Sequence, residues 1–275
     1  MTIREKLIDI AIYNKGEFKD TLNFIKSKKT IADSNRDYSN YTSKIVTILD
    51  TNYPYIFKTL DYPPIVIFYH GNLNLFNSNN IIGIIGTRSP SKYIGIIGTR
   101  SPSKYGEKIL ENIIDPVLET YATSGKEIII TNGMAKGIDL LSCRIAIKYN
   151  LPLIMFLGSG INYIYPSIAE DVYNYCKSGK GVIISEYPDV TKPLAHHFPF
   201  RNRLIACSSK KIILPEANLK SGSYSTINQA LNYGKEIGTF PFPLSYEKSL
   251  NNHLIQDGAE ILLNVSDLLS FLKDN

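Results

Sequence analysis

The sequence predicts a doubly wound α/β domain, with a mostly parallel sheet, preceded by a small N-terminal helical appendage. Three observations carry that reading. From Ile82 onward, apolar runs of strand length alternate with amphipathic stretches of helical spacing. The runs are apolar on both faces, as parallel strands covered by helices on either side must be. Several of them end in glycine followed by hydroxyl or basic residues, the chemistry of a turn that opens a helix.

Residues 1–45 form the appendage. Leu7, Ile8, Ala11 and Ile12, then Phe18, Leu22 and Ile25, follow helical spacing, with Lys26, Lys28 and Lys29 on a wetted face. Residues 46–80 read as a connector. Tyr53-Pro54 and Tyr62-Pro63-Pro64 oppose helix. Ile65 to Tyr69 has strand length and ends in the turn residues His70-Gly71-Asn72. Residues 81–275 are the main domain. Its strands are expected at Ile94–Thr99, Glu127–Thr131, Leu153–Leu157, Val182–Ser185, Lys211–Leu214 and Glu236–Phe240. Helices are expected at Glu107–Tyr121, Ile138–Lys148, Ser167–Lys177, Arg203–Ser208 and Thr226–Tyr233. A short strand at Ile261–Leu263 and a helix from Ser266 close the chain.

The first strand is complicated by a repeat: Ile82–Tyr93 is identical to Ile94–Tyr105. One fold has one seat for such a unit. The connector leads directly into the first copy. The helix that must follow, Gly106-Glu107-Lys108-Ile109-Leu110 with Ile113, Ile114 and Val117 on one face, continues only from the second. A turn severed from its helix loses the positive amino end that holds an anion, so the second copy is expected in the seat, with Arg100 as its working base and the first copy as an insert. The even repeat length leaves the alternation of faces intact.

Composition narrows the function classes. No apolar run is long enough to span a bilayer, and Arg4, Glu5, Lys6 and Asp9 interrupt any secretory signal. Cys143, Cys176 and Cys207 are odd in number and far apart, and read as reduced thiols of a cytoplasmic protein. His70, His196, His197 and His253 lack metal-ligand spacing, so neither a metal nor another cofactor is expected. The net charge of +5 suits an anionic partner without requiring one.

Four turns carry the chemistry: Gly98-Thr99-Arg100-Ser101, Gly133-Met134-Ala135-Lys136-Gly137-Ile138-Asp139, Gly158-Ser159-Gly160 and Ser221-Gly222-Ser223-Tyr224-Ser225-Thr226. In each, glycines let backbone amides converge at the amino end of a helix, where phosphate or carboxylate binds. None matches the P-loop pattern, and no GxGxxG is present. A fifth segment, His196-His197-Phe198-Pro199-Phe200-Arg201-Asn202-Arg203-Leu204-Ile205-Ala206, brackets Asn202 with two guanidinium forks suited to phosphate. Phe198 and Phe200 are candidates for base stacking or for core packing.

Gly98-Thr99-Arg100, Asn132 through Asp139, Ser185-Glu186-Tyr187-Pro188, Phe198 through Ala206 and Ser221-Gly222-Ser223, with Tyr53-Pro54, Tyr69-His70-Gly71-Asn72-Leu73 and Asn252-His253-Leu254-Ile255-Gln256-Asp257-Gly258-Ala259, resemble the DNA processing protein A family (DprA, also called Smf) over roughly residues 46 to 265. The resemblance implies an extended Rossmann-like domain and a non-catalytic, dimerising binder of single-stranded DNA that protects incoming strands in natural transformation and recombination and helps load the RecA recombinase. It places Gly98, Thr99, Arg100 and Ser101, then Gly133, Lys136 and Gly137, then Arg201, Asn202 and Arg203, and finally Ser221, Gly222 and Ser223 around the DNA. Arg100 and Lys136 match its DNA-contacting bases. Many members end in a winged-helix domain, which is not expected here before Asn275, and the tandem copy is not a family feature. Two alternatives stand beside this reading. One is a nucleotide phosphoribohydrolase of similar shape, in which Gln229 falls where the catalytic glutamate should be and Glu186 and Glu216 are the carboxylates nearby. The other is a degenerate copy that binds nothing.

Overall fold

The computed structural model describes residues 1–29, 31, 41–86, 103–243 and 249–273. They form one nine-stranded, mostly parallel sheet clothed by helices on both faces, the doubly wound α/β architecture expected. The strands are β1 (Lys44–Thr47), β2 (Val66–Gly71), β3 (Ile81–Ile84), β4 (Ile129–Asn132), β5 (Leu153–Phe156), β6 (Gly181–Ser185), β7 (Lys211–Leu214), β8 (Glu236–Thr239) and β9 (Glu260–Ile261). Their spatial order is β1-β2-β6-β5-β4-β3-β7-β8-β9. β1 and β2 run antiparallel at one edge, and every pairing from β6 to β9 is parallel. Residues 46–80, read as a connector, are therefore part of the sheet.

The helices are α1 (Ile3–Tyr13), α2 (Phe18–Lys26), α3 (Lys104–Ile109), α4 (Asp115–Ser124), α5 (Ile138–Lys148), α6 (Glu170–Tyr175), α7 (His197–Ser208), α8 (Gly222–Asn232), α9 (Leu250–Gln256) and α10 (Val265–Leu272). A π-helical turn, Leu110–Ile114, joins α3 to α4. Side chains alternate along each strand and divide the core in two. Ile82, Ile84, Ile130, Met155 and Ile183 pack under α3–α6 and α10. Ile81, Ile85, Ile129, Ile154, Ile184 and Ile212 pack under α7, α8 and α9.

α7 and α8 begin a turn or more before the sequence predicts. α7 starts at His197, six residues before the expected Arg203, because Pro199 falls in the first turn, where its missing N–H has no intrahelical partner to lose. α8 starts at Gly222, four residues before Thr226, because Ser221 is its N-cap. The Ser-Gly-Ser turn is thus itself the first turn of a helix.

The repeat is seated differently from the expectation. The first copy, not the second, supplies the strand: Ile82 pairs with Ile130 and Lys211, and Gly83 with Thr131 and Ile212. The helix start, with Ser103 as N-cap of α3, comes from the second copy. Each end is decided by the residue that flanks the repeat. Ile81 precedes the first copy, is 4% exposed and extends the strand by one apolar rung opposite Ile129. Seating the second copy would put Tyr93 there. Gly106 follows the second copy, and a Cβ at this position would collide with the Glu216 carboxylate. Had the helix started from the first copy, Ile94 would stand there. The expected strand Ile94–Thr99 and its turn lie outside the described residues.

Sixteen residues now separate Gly86 from Ser103, where a single copy would leave four. Because the copies are identical, removing either gives the same polypeptide. That shortened chain is expected to be more stable by about 1 kcal/mol, since two halvings of the connection save roughly 0.6 kcal/mol each in closure entropy. Urea denaturation of the two proteins checks it, and a midpoint lowered in the shortened chain would mean that the extra residues are built into the fold.

Candidate functional site

The strand order reverses at β3. The chain steps from β3 through β4 and β5 to β6 on one side, then crosses to β7 on the other. In open α/β sheets the crevice at such a reversal, beyond the carboxyl ends of the strands, is where ligands bind. A cleft of about 570 Å³ opens there. Ile85 and Gly86 line it from the end of β3, Gly133, Ala135 and Asp139 from the turn after β4, Phe198, Arg201 and Asn202 from α7, and Asn218, Lys220, Ser221, Gly222 and Ser223 from the start of α8.

Its walls differ in electrostatic character. On the β3–β4 side the converging amides are already occupied. Asp139 Oδ1 accepts from Gly86 N at 3.2 Å, and its Oδ2 accepts from Ala135 N at 3.3 Å. This carboxylate ties the two turns together and fills the amide nest that an outside anion would otherwise take. The α8 side is open. Among the described residues no side chain caps the first turn of α8, and of its leading N–H groups Tyr224 N bonds back to Ser221 O at 3.1 Å while the first two have no acceptor within the helix. Among the described residues the buried Ser221 Oγ has no hydrogen-bond partner. Exposed Lys220 stands immediately before it. Here the amino end of a helix and a full positive charge converge on one place.

The structure brings many of the sequence-predicted residues to this cleft. Gly133, Arg201, Asn202, Ser221, Gly222 and Ser223 line it. Lys136, half-buried, and Gly137, which at φ 102° begins α5, lie on the same turn as Ala135 but do not line the cleft. Gly98, Thr99, Arg100 and Ser101 lie outside the described residues, and Gly86, the first-copy counterpart of Gly98, lines the cleft instead. Gly158 and Gly160 do not line it. They admit Phe198 and the Pro188–Asp189 backbone at distances no Cβ would allow.

The two arginines have separate duties. Arg201 is buried and donates to Gly133 O at 3.2 Å and to Phe156 O, binding together the carboxyl ends of β4 and β5. Its Nε donates to Asn202 Oδ1 at 3.1 Å. Arg203 points away from the cleft. Its fork meets Glu186 at 2.5 and 2.7 Å, donates to Tyr62 O at 3.0 and 3.1 Å, and lies 3.8 Å from the Phe200 ring centroid. The pocket-rim position that the resemblance implies for it is not where the structure puts it. Both guanidiniums lie one turn inside α7, where the packing of the sheet ends claims them.

The phenylalanines divide in the same way. Phe198 lines the cleft, with Tyr165, half exposed, at 5.8 Å between ring centroids. Phe200 packs against Phe18 and Arg203. The carboxylates of the hydrolase alternative are engaged elsewhere. Glu216 accepts from Ser103 N at 3.1 Å and Ser103 Oγ at 2.9 Å to start α3, and burial raises its pKa above the ordinary carboxylate value despite those two bonds. Glu186 pairs with Arg203, and Gln229 reaches Pro199 O and Ser225 Oγ, both at 3.5 Å. Lys220 was missed by motif reasoning. Its one signal in the sequence is that it directly precedes the Ser-Gly-Ser turn.

Known proteins show the same arrangement of chain. The DNA processing protein DprA of Streptococcus pneumoniae is 30% identical over 227 residues, covering 82% of this chain and 72% of that protein. The X-ray structure of DprA from Streptococcus pneumoniae superposes with a TM-score of 0.73 at 25% identity, covering 100% of this chain and 99% of the other. DNA processing protein A from Helicobacter pylori, whose structure is described as revealing a single-stranded DNA binding mode, gives 0.66 at 25% identity over 85% of this chain and 97% of its own. The family profile of DNA recombination-mediator protein A matches residues 44–94 and 92–273, so both copies of the repeat fall within a match. With this profile across most of its length and the sheet reversal, cleft and α8 turn in place, the chain belongs to the DNA recombination-mediator protein A (DprA/Smf) family.

Proposed function

We propose that this protein binds single-stranded DNA in the cleft without altering it chemically, in DNA uptake and recombination. The observation that carries the reading is the amino end of α8, uncapped by any side chain among the described residues, with exposed Lys220 beside it and Phe198 also lining the cleft. A phosphate sits against the helix end while an unpaired base meets an aromatic ring, the pairing of contacts that single strands require and that duplexes, with their bases stacked, do not offer. The single-strand binding described for the Helicobacter pylori relative supports the same reading. On the family's pattern we extend it to a homodimer that acts in the cytoplasm and hands its strand to a RecA recombinase. Among the described residues no helix is long and apolar enough to cross a membrane.

The experiment is a fluorescence-anisotropy titration of a labelled oligothymidylate across a range of salt. The expected result is a linear fall of log affinity with log salt, weaker binding of a duplex of the same length, and a slope lowered by roughly 0.7 when Lys220→Ala removes its phosphate contact. Equal affinity for duplex and single strand, or a slope of zero, would remove the proposal.

A further inference from the structure

A second cluster lies outside the cleft, where the N-terminal helices meet the first turn of α7. Glu17 precedes α2, and His196 and His197 begin α7, about 180 residues away in sequence. Both imidazole Nε2 atoms stand 2.9 Å from the same Glu17 Oε1. The three ligand atoms all lie within 4.8 Å of one another.

The way the His197 ring is held is what makes this more than a surface ion pair. Its ring is fully buried and stacked on Tyr187 at 3.7 Å between centroids. Its Nδ1 is 3.1 Å from Gly158 O, an acceptor only, so Nδ1 is the donor in that contact. That leaves Nε2 aimed at a carboxylate oxygen. Nε2 and the carboxylate oxygen are held close enough for one positive centre, a proton or a metal ion, to bridge them. A histidine whose far nitrogen donates to a backbone carbonyl while its near nitrogen faces a carboxylate is oriented as metal-ligating histidines are.

The geometry suits a metal ion. Zinc–nitrogen and zinc–oxygen bonds of roughly 2.0–2.2 Å in a tetrahedron put neighbouring donors about 3.3 Å apart. The contacts here need open by only a few tenths of an ångström. The carboxylate is held ready. Gly16 has φ 78°, and a Cβ there would collide with the backbone of Glu186 and Tyr187, so the turn presenting Glu17 sits hard against that segment. The His196 side chain is 63% exposed, which leaves a way in for the ion and a water for the fourth position. The described cysteines are all buried and offer no competing thiolate.

We propose that Glu17, His196 and His197 bind one divalent transition-metal ion of the zinc type, which clamps the N-terminal helices to α7. The site is independent of the DNA reading. Imidazole and carboxylate donors together suit zinc better than the harder magnesium or calcium.

The test uses the full chain, stripped with a chelator and titrated with zinc chloride by calorimetry, and separately with cobalt(II) by visible absorption. The expected result is one ion per chain, a cobalt band of low-coordinate character, and a melting temperature raised by zinc. Glu17→Gln is nearly isosteric and His196→Ala changes an exposed side chain, so both variants should fold. Each is expected to weaken binding at least tenfold and to abolish the thermal shift. An ion bound equally well by the two variants, or no saturable site in the parent protein, overturns the proposal and leaves a protonated histidine–glutamate ion pair in its place.

Discussion

Arg203→Ala is expected to lower the stability of the protein by roughly 3–5 kcal/mol, the cost of breaking a buried ion pair from one side. Arg203 and Glu186 are each about 5% exposed and meet at 2.5 Å. Truncating the arginine removes both hydrogen bonds to Glu186 and those to Tyr62 O. It also removes the stack on Phe200, which itself holds Phe18 of α2. The dominant loss is the carboxylate left behind, buried without a counter-charge. At about 2–4 °C per kcal/mol for a domain of this size, the melting temperature should fall on the order of 10 °C. The double variant Arg203→Met, Glu186→Leu should recover most of the loss, because an apolar pair leaves no stranded charge. Thermal denaturation followed by circular dichroism decides it. A fall of less than about 1 kcal/mol in the single variant would mean that the pair is far better solvated than its burial implies.

Gly222→Asp is expected to reduce single-strand affinity at least tenfold while leaving the melting temperature equal or slightly higher. Gly222 is the first residue of α8, it is exposed, and a Cβ there meets nothing within 4 Å. An aspartate in a helix's first turn interacts favourably with the helix dipole, by about 0.3–1 kcal/mol. The same charge occupies the place the cleft offers to phosphate. Stability and binding are thus pushed in opposite directions by one side chain, which no unfolding artefact can mimic. Anisotropy titration beside a melting curve reads both. Undiminished affinity would show that the strand does not pass the amino end of α8.

Much of the fold was legible because local pattern and tertiary role agree. α5 was expected at Ile138–Lys148 and is found there, since Gly137 marks its start and apolar residues recur at helical spacing throughout. β7 likewise matches Lys211–Leu214, a short run bounded by polar residues. β1 went unread because Lys44-Ile45-Val46-Thr47 is half polar, and it becomes a strand by pairing with β2. α9 went unread because its seven residues Leu250–Gln256 include two asparagines, poor helix formers. They are held by specific bonds: Asn251 Oδ1 accepts from Ala217 N, and Asn252 Oδ1 accepts from Phe242 N.

At the candidate site, the sequence by itself determined which turns follow strands, and so which glycines, hydroxyls and bases stand at the carboxyl edge of the sheet. Backbone chemistry is local, and strand, glycine turn and helix can be read along the chain. Only the tertiary structure decided what each charged side chain faces. Arg201 and Arg203 are two residues apart on one helix, yet one braces the ends of β4 and β5 at the cleft and the other neutralises a buried carboxylate behind it. Glu17 and the two histidines meet only because the N-terminal helices dock on α7. The repeat makes the division plainest. Two identical segments have identical propensities, so nothing within them can choose between them. The choice falls to their neighbours, Ile81 with an apolar rung to bury and Gly106 with no room for a side chain beside Glu216.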